Sequence, residues 1–207
     1  MPAGRPREFD IDKAVDRAMI LFWRNGYEGT SLSDLTDGLG ITRPSLYAAF
    51  GSKQGLFRKV LERYVEVPSR YVTDALKAPS AREVAERLFQ GCIELNTNPR
   101  HPGCLMVRDA QACGAGTVAV KRELAVKLAD GERAIAGRFK QAKSDGDLPR
   151  DCNPDDLARY VRSVIYGIAV QASAGATKQD LRKVADVVLR TWPENRKPAS
   201  RRSSHAR

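Results

Sequence analysis

Histidine is almost missing from this 207-residue chain, which holds two, His101 and His205, beside two tryptophans, three methionines and four cysteines. With so few histidines there is no carboxylate-and-histidine metal helix. There is also no nucleophile motif and no glycine-rich phosphate loop after a strand, so an enzyme has no residues to rest on and no cofactor is expected. Long apolar runs are lacking too, since none approaches the ~20 residues that a membrane helix needs. The N-terminal Met-Pro-Ala-Gly-Arg-Pro-Arg leads into the mixed charges of Glu8 to Asp12, where a secretory signal would turn apolar. The expectation is a cytoplasmic protein with no membrane partner. Cys92, Cys104, Cys113 and Cys152 are too few and scattered for a disulfide framework and match no paired zinc spacing. They are expected as free thiols and buried small residues, with a metal or thiol sensor near His101 as the sharper alternative.

Sustained period-two alternation is absent as well. Almost every segment repeats its apolar residues with the 3.6-residue period, which predicts an all-α fold. The formal charge of +10 suggests a polyanionic partner, although about half of the excess lies in residues 190–207. A better clue is local. No acidic residue occurs between Asp37 and Glu62, where Arg43, Lys53, Arg58 and Lys59 are basic.

A first helix over about Asp10–Asn25 aligns Ile11, Val15, Ala18, Met19 and Phe22, and Gly26 ends it. Thr30 or Ser31 can cap a second helix, whose Leu32, Leu35, Thr36 and Leu39 face inward; Gly38 and Gly40 close it. Thr42 can cap a third, running to about Phe50, with Ile41 and Leu46 spaced as a hydrophobic staple. Ser52 can cap a fourth, carrying Leu56, Phe57, Val60, Leu61 and Tyr64, which should end at Pro68 or at latest Pro79. Further helices are expected around Ala85–Leu95, Cys104–Cys113 and Thr117–Lys143. After the cap Asn153-Pro154 come two apolar stripes: Leu157, Val161, Val164, Ile165, Ile168, Ala172, then Leu181, Val184, Ala185, Val188, Leu189, Trp192.

Ser31 to Phe50 therefore reads as a helix, a tight turn and a second helix. In a helix-turn-helix the second helix enters the major groove, so its outward side chains must be short or hydrogen-bonding. Leu46 and Phe50 face inward, which leaves Arg43, Pro44, Tyr47 and Ala48 outward and Ser45 at the flank. Base reading is assigned to Arg43, Pro44, Ser45 and Ala48. A guanidinium can hold guanine O6 and N7 together, a serine suits a base edge or phosphate, and Pro44 or Ala48 can touch a thymine methyl. Phosphate contacts are assigned to Ser31, Thr42, Tyr47 and Lys53, the last at a helix start where free amides already favour an anion. The plainer readings are a packing aromatic for Tyr47 and a solvated charge for Lys53.

Phe22-Trp-Arg-Asn-Gly-Tyr27, Gly29-Thr-Ser-Leu-Ser-Asp-Leu35 and Gly40-Ile-Thr-Arg-Pro-Ser-Leu-Tyr-Ala-Ala-Phe-Gly-Ser-Lys-Gln-Gly-Leu56 resemble the N-terminal domain of TetR-family regulators, without gaps over about fifty residues. Gly103-Cys-Leu-Met-Val107 and Gly167-Ile-Ala-Val-Gln-Ala-Ser-Ala-Gly-Ala-Thr177 are similar, more loosely, to segments of one broad subgroup. Arg43-Pro44 departs from the lysine or arginine followed by glycine of many members, which alters the operator expected and not the fold.

The resemblance implies a three-helix helix-turn-helix DNA-binding domain over 1–65, a helical ligand-binding and dimerisation domain over 66–193, and a basic disordered tail over 194–207. It implies a homodimeric repressor on a roughly palindromic double-stranded operator, released by an unidentified small-molecule effector. Phe89, Met106, Phe139 and Tyr166 are the candidate pocket residues. Val161, Ile165, Ile168, Leu181, Val184, Val188 and Trp192 are the candidate dimer interface, unless those stripes simply close the monomer's core. The rival functions are an all-helical enzyme and a nonspecific architectural DNA-binding protein.

Overall fold

The computed structural model describes residues 9–101, 103–111 and 118–195; Cys113 and the tail from position 196 lie outside them. Among the described residues the chain is helical without strands: α1 Ile11–Asn25, α2 Leu32–Leu39, α3 Arg43–Phe50, α4 Lys53–Glu66, α5 Arg70–Ala75, α6 Ala81–Asn96, α7 Leu105–Gln111, α8 Val118–Ser144, α9 Pro154–Ser173 and α10 Lys178–Arg190. None of them is long and apolar enough to cross a membrane.

The helix starts follow their caps. Asp10, Ser31, Thr42, Ser52, Ser80, Asn153 and Thr177 each accept a backbone N–H of the first turn, satisfying amides that the helix itself leaves unpaired. Between the two candidate caps of α2, Ser31 takes the role and forms a reciprocal box with Asp34. Thr30 is buried and donates to the Gly26 carbonyl at 2.7 Å. α4 ends before Pro68, and the short α5 between Pro68 and Pro79 has no counterpart in the sequence reading. Six residues are too few for a period to declare itself.

Two apolar clusters carry the packing. The first unites α1 to α4 through Phe22, Trp23, Leu35, Leu46, Phe57 and Tyr64, and it takes in Leu105 of α7 with Val120 and Leu124 of α8. The head is thus closed partly by the body. The second gathers α5, α6, the later half of α8, α9 and α10. Several expected site residues belong to this second core. Phe89 and Phe139 are fully packed inside it and are not among the residues that line the cavity bounded by α4 to α9. Val161, Ile165, Ile168, Leu181, Val188 and Trp192 are likewise buried within the single chain, and Val184 is half-buried. An apolar stripe on one helix faces whatever packs there first, and in this chain that is α6 and α8. In the single chain these six serve the monomer's own core.

Candidate nucleic-acid interface

The turn between α2 and α3 is made by Gly40, in the left-handed region at φ 69° and ψ 33°, a conformation that costs glycine little. The Ile41 amide then reaches back to the Thr36 carbonyl at 3.1 Å, closing α2 and setting α3 across it. Leu46 locks α3 from below. On the opposite side Arg43, Pro44, Tyr47, Ala48 and also Ala49 are exposed, with Tyr47 at 45%. The result is a short helix whose outer face holds one cation, one phenol and small apolar groups.

The free protein already positions several of these side chains. The Arg43 guanidinium donates to the Ser33 hydroxyl at 2.9 Å, so an α2 residue that the sequence reading passed over sets its direction. Nothing in the local pattern marks Ser33, because the contact spans two helices. Thr42 and Ser45 share a hydroxyl hydrogen bond of 2.9 Å, and Ser45 is half-buried, so that bond uses part of its hydrogen-bonding capacity in the free protein. Ser31 is exposed with its oxygen occupied by the Asp34 amide, leaving its proton free to donate. Lys53 differs from a simple outward charge. Its ammonium lies over the Tyr27 ring, 4.4 Å from the centroid, and burial pulls its pKa below the usual lysine value against the opposing pull of Glu28, Asp109 and Asp34.

The head is fastened to the body at the end of α1. Arg108 of α7 donates to the carbonyls of Phe22 and Arg24, each at 3.0 Å, and to that of Trp23, supplying donors at the end of the helix, where carbonyls run short of backbone partners. Asp109 accepts the Tyr27 amide at 3.0 Å, and burial raises its pKa. Gly26, at φ 76°, admits this carboxylate; a Cβ there would stand 2.9 Å from its oxygen. The Trp23 indole donates to the Gly103 carbonyl at 2.8 Å and packs edge-on against Tyr64, with centroids 4.8 Å apart. The Tyr64 hydroxyl donates to the Cys104 sulfur at 3.3 Å.

Beside this clasp lies a cavity of about 260 Å³, bounded by α4 to α9; Met106 and Tyr166 line it, as do Tyr64, Tyr71, Cys92, Asn96, Cys104 and Arg162. Among the described residues no group of three or more histidine, cysteine or acidic side chains is placed to hold a metal ion.

An exposed reading helix set by a capped tight turn on an all-helical body defines a helix-turn-helix DNA-binding protein. The family model described as bacterial regulatory proteins, tetR family, matches residues 14–60. The HTH-type transcriptional repressor ComR of Escherichia coli (strain K12) is 33% identical over 196 residues, covering 92% of each chain. The uncharacterized regulator YezE of Bacillus subtilis (strain 168) is 32% identical over 189 residues, 90% of this chain and 97% of its own. Among solved structures, a cysteine mutant of the TetR family regulator CifR, complexed with a 26-bp double-strand operator, superposes with a TM-score of 0.86 at 41% identity, over 91% of this chain and all of that one. The chain belongs to the TetR family of transcriptional regulators, which are not enzymes.

Proposed function

We propose that this protein is a cytoplasmic homodimeric repressor that holds a roughly palindromic operator through α3 of each copy and leaves it when a small molecule fills the cavity. The observation that carries the reading is the outer face of α3, where Arg43, Pro44, Tyr47 and Ala48 stand exposed over a locked Leu46. Arg43 and Ala48, with Pro44 and Ser45, read base edges; Ser31, Thr42, Tyr47 and Lys53 hold phosphates and set register. The likeness to a repressor and to a regulator solved on operator DNA supports the same direction.

A revised surface serves dimerisation. Exposed Tyr160 and Val170 with half-buried Val164 and Gly167 follow one side of α9, and half-buried Val184 with exposed Val187 one side of α10. Gly167 sits in the middle of a helix, where glycine costs about 1 kcal/mol relative to alanine, yet a Cβ there would meet nothing within 4 Å. Close approach of a second copy accounts for it, and a two-fold pairing of this kind places two reading helices on half-sites separated by whole DNA turns.

Selection of bound sites from random duplexes, followed by titration at two salt concentrations, tests the reading. Recovery of a spaced inverted repeat supports it; binding blind to sequence overturns it.

A further inference from the structure

Among the described residues, one buried positive charge of the body meets no carboxylate. Arg162 of α9 is 8% exposed, yet among the described residues its one hydrogen bond runs to a neutral group, from Nη2 to the Tyr166 hydroxyl at 2.6 Å. Its guanidinium stacks 4.6 Å from the centre of the same ring, and its Nε is buried without a partner. The one carboxylate on the cavity wall, Asp130, is paired instead with Arg133 of its own helix. Gly131, also on the wall, lies against the guanidinium, and a Cβ there would be in ordinary contact with Nη1 at 3.6 Å. A buried cation without an anion is costly, and proteins keep one where an anion arrives to meet it.

A second unpartnered group lines the same cavity. Asn96 is 1% exposed, and its Nδ2 is committed to the Cys92 carbonyl at 2.7 Å. That contact orients the amide and, among the described residues, leaves Oδ1 buried with no donor. The other wall residues are largely apolar or aromatic: Val65, Val72, Leu76, Leu95, Leu128 and Ile165. At about 260 Å³ the space exceeds the roughly 150 Å³ of an engineered cavity that admits a benzene ring.

Resting on the reading that this cavity is the effector site, we infer that its ligand is a small organic acid with an apolar body. The carboxylate pairs with Arg162 through Nε and Nη, the body fills the apolar wall, and a hydroxyl on the body donates to Asn96 Oδ1. Such a molecule satisfies both orphaned groups, whereas a neutral apolar compound leaves a desolvated guanidinium behind.

Calorimetric titration of the full-length protein with benzoate, its three hydroxybenzoate isomers and octanoate, each beside its neutral amide, tests this. At least one acid is expected to bind about tenfold or more tightly than its amide. Arg162→Met should cut the affinity for that acid by about tenfold to a hundredfold, the range for a charge-assisted pair, while shifting the amide less than about threefold; Arg162→Lys should keep part of it. Should Arg162→Met not fold, the acid-to-amide ratio in the unaltered protein decides alone. Equal binding of acid and amide, no binding by any acid, or an unchanged affinity in a folded Arg162→Met overturns the inference. Equal affinity for benzoate and all three hydroxybenzoates overturns the part given to Asn96. An acid that binds in this Arg162-dependent way without releasing operator DNA upholds the site and overturns its regulatory role.

Discussion

The head and the body are built from similar amphipathic helices, but they turn their polar groups in opposite directions. In the head an aromatic cluster fills the interior, with Phe57 against Phe22 at 5.0 Å and against Tyr27 at 4.9 Å, while the hydrogen-bonding side chains of α3 point to solvent. In the body Arg162 and Asn96 point inward to a cavity, and burial lifts the Cys92 thiol to about 12 and the Tyr71 phenol well above its ordinary value. Unspent polar groups mark the proposed functional surface in both. For a long polyanion that surface has to be convex and outside; for a small molecule it has to be enclosed.

The comparison is sharpest where the two regions meet. Because Leu105, Val120 and Leu124 complete the core of the head, Phe57→Ala and Phe139→Ala should each cost about 3–5 kcal/mol and shift one common urea transition. Two separate transitions would break the picture of a shared core. Next in size, Gly167→Arg on the outward face of α9 should yield monomers by sedimentation and weaken operator binding about a hundredfold, because two linked heads hold DNA far better than one; an intact dimer would move the interface elsewhere.

Within the head, Arg43→Ala is expected to cost about 1–3 kcal/mol on the selected operator and to relax preference at one or two base pairs. Tyr47→Phe should cost about 1 kcal/mol on every sequence alike, the worth of one hydrogen bond. A sequence-dependent loss would make Tyr47 a base reader. The smallest effect belongs to His101, stacked 4.0 Å from the Trp23 ring, whose pKa burial pulls below 6.5. The unfolded chain then takes up the proton more readily than the native one, so stability present above pH 6.5 should decline as pH falls through the window beneath it. Thermal melts of His101→Phe against the parent should show a shallower decline over that window.

Much of the head was legible along the chain because its signals are local. Ser31, Thr42 and Ser52 each cap an amide three residues on, and Gly40 turns the backbone at its own position. The outward set of α3 follows from Leu46 facing inward. Lys53 was only half legible: its place at a helix start can be read in order, whereas its fold over Tyr27 joins residues far apart in sequence. Arg108 and Asp109, which tie α7 to the end of α1, carry no local signal of that role.

In the body, periodicity identified which residues of α9 and α10 are apolar but not which apolar face meets the chain itself. Val161, Ile165 and Ile168 turned to the core, Val164 stayed half-buried against it, and Tyr160 and Val170 were left outside. Phe89 and Phe139 entered the packing, and the cavity opened beside Met106, Tyr166 and Arg162.

The sequence by itself determined the all-helical architecture, the caps and the reading helix, since each rests on spacings of a few residues and on backbone preferences felt at one position. Tertiary structure alone decided the cavity, the guanidinium buried at its wall, the clasp between head and body, and which sides of α9 and α10 stay exposed. A cavity is the space where distant helices do not touch, and no run of neighbouring residues encodes that.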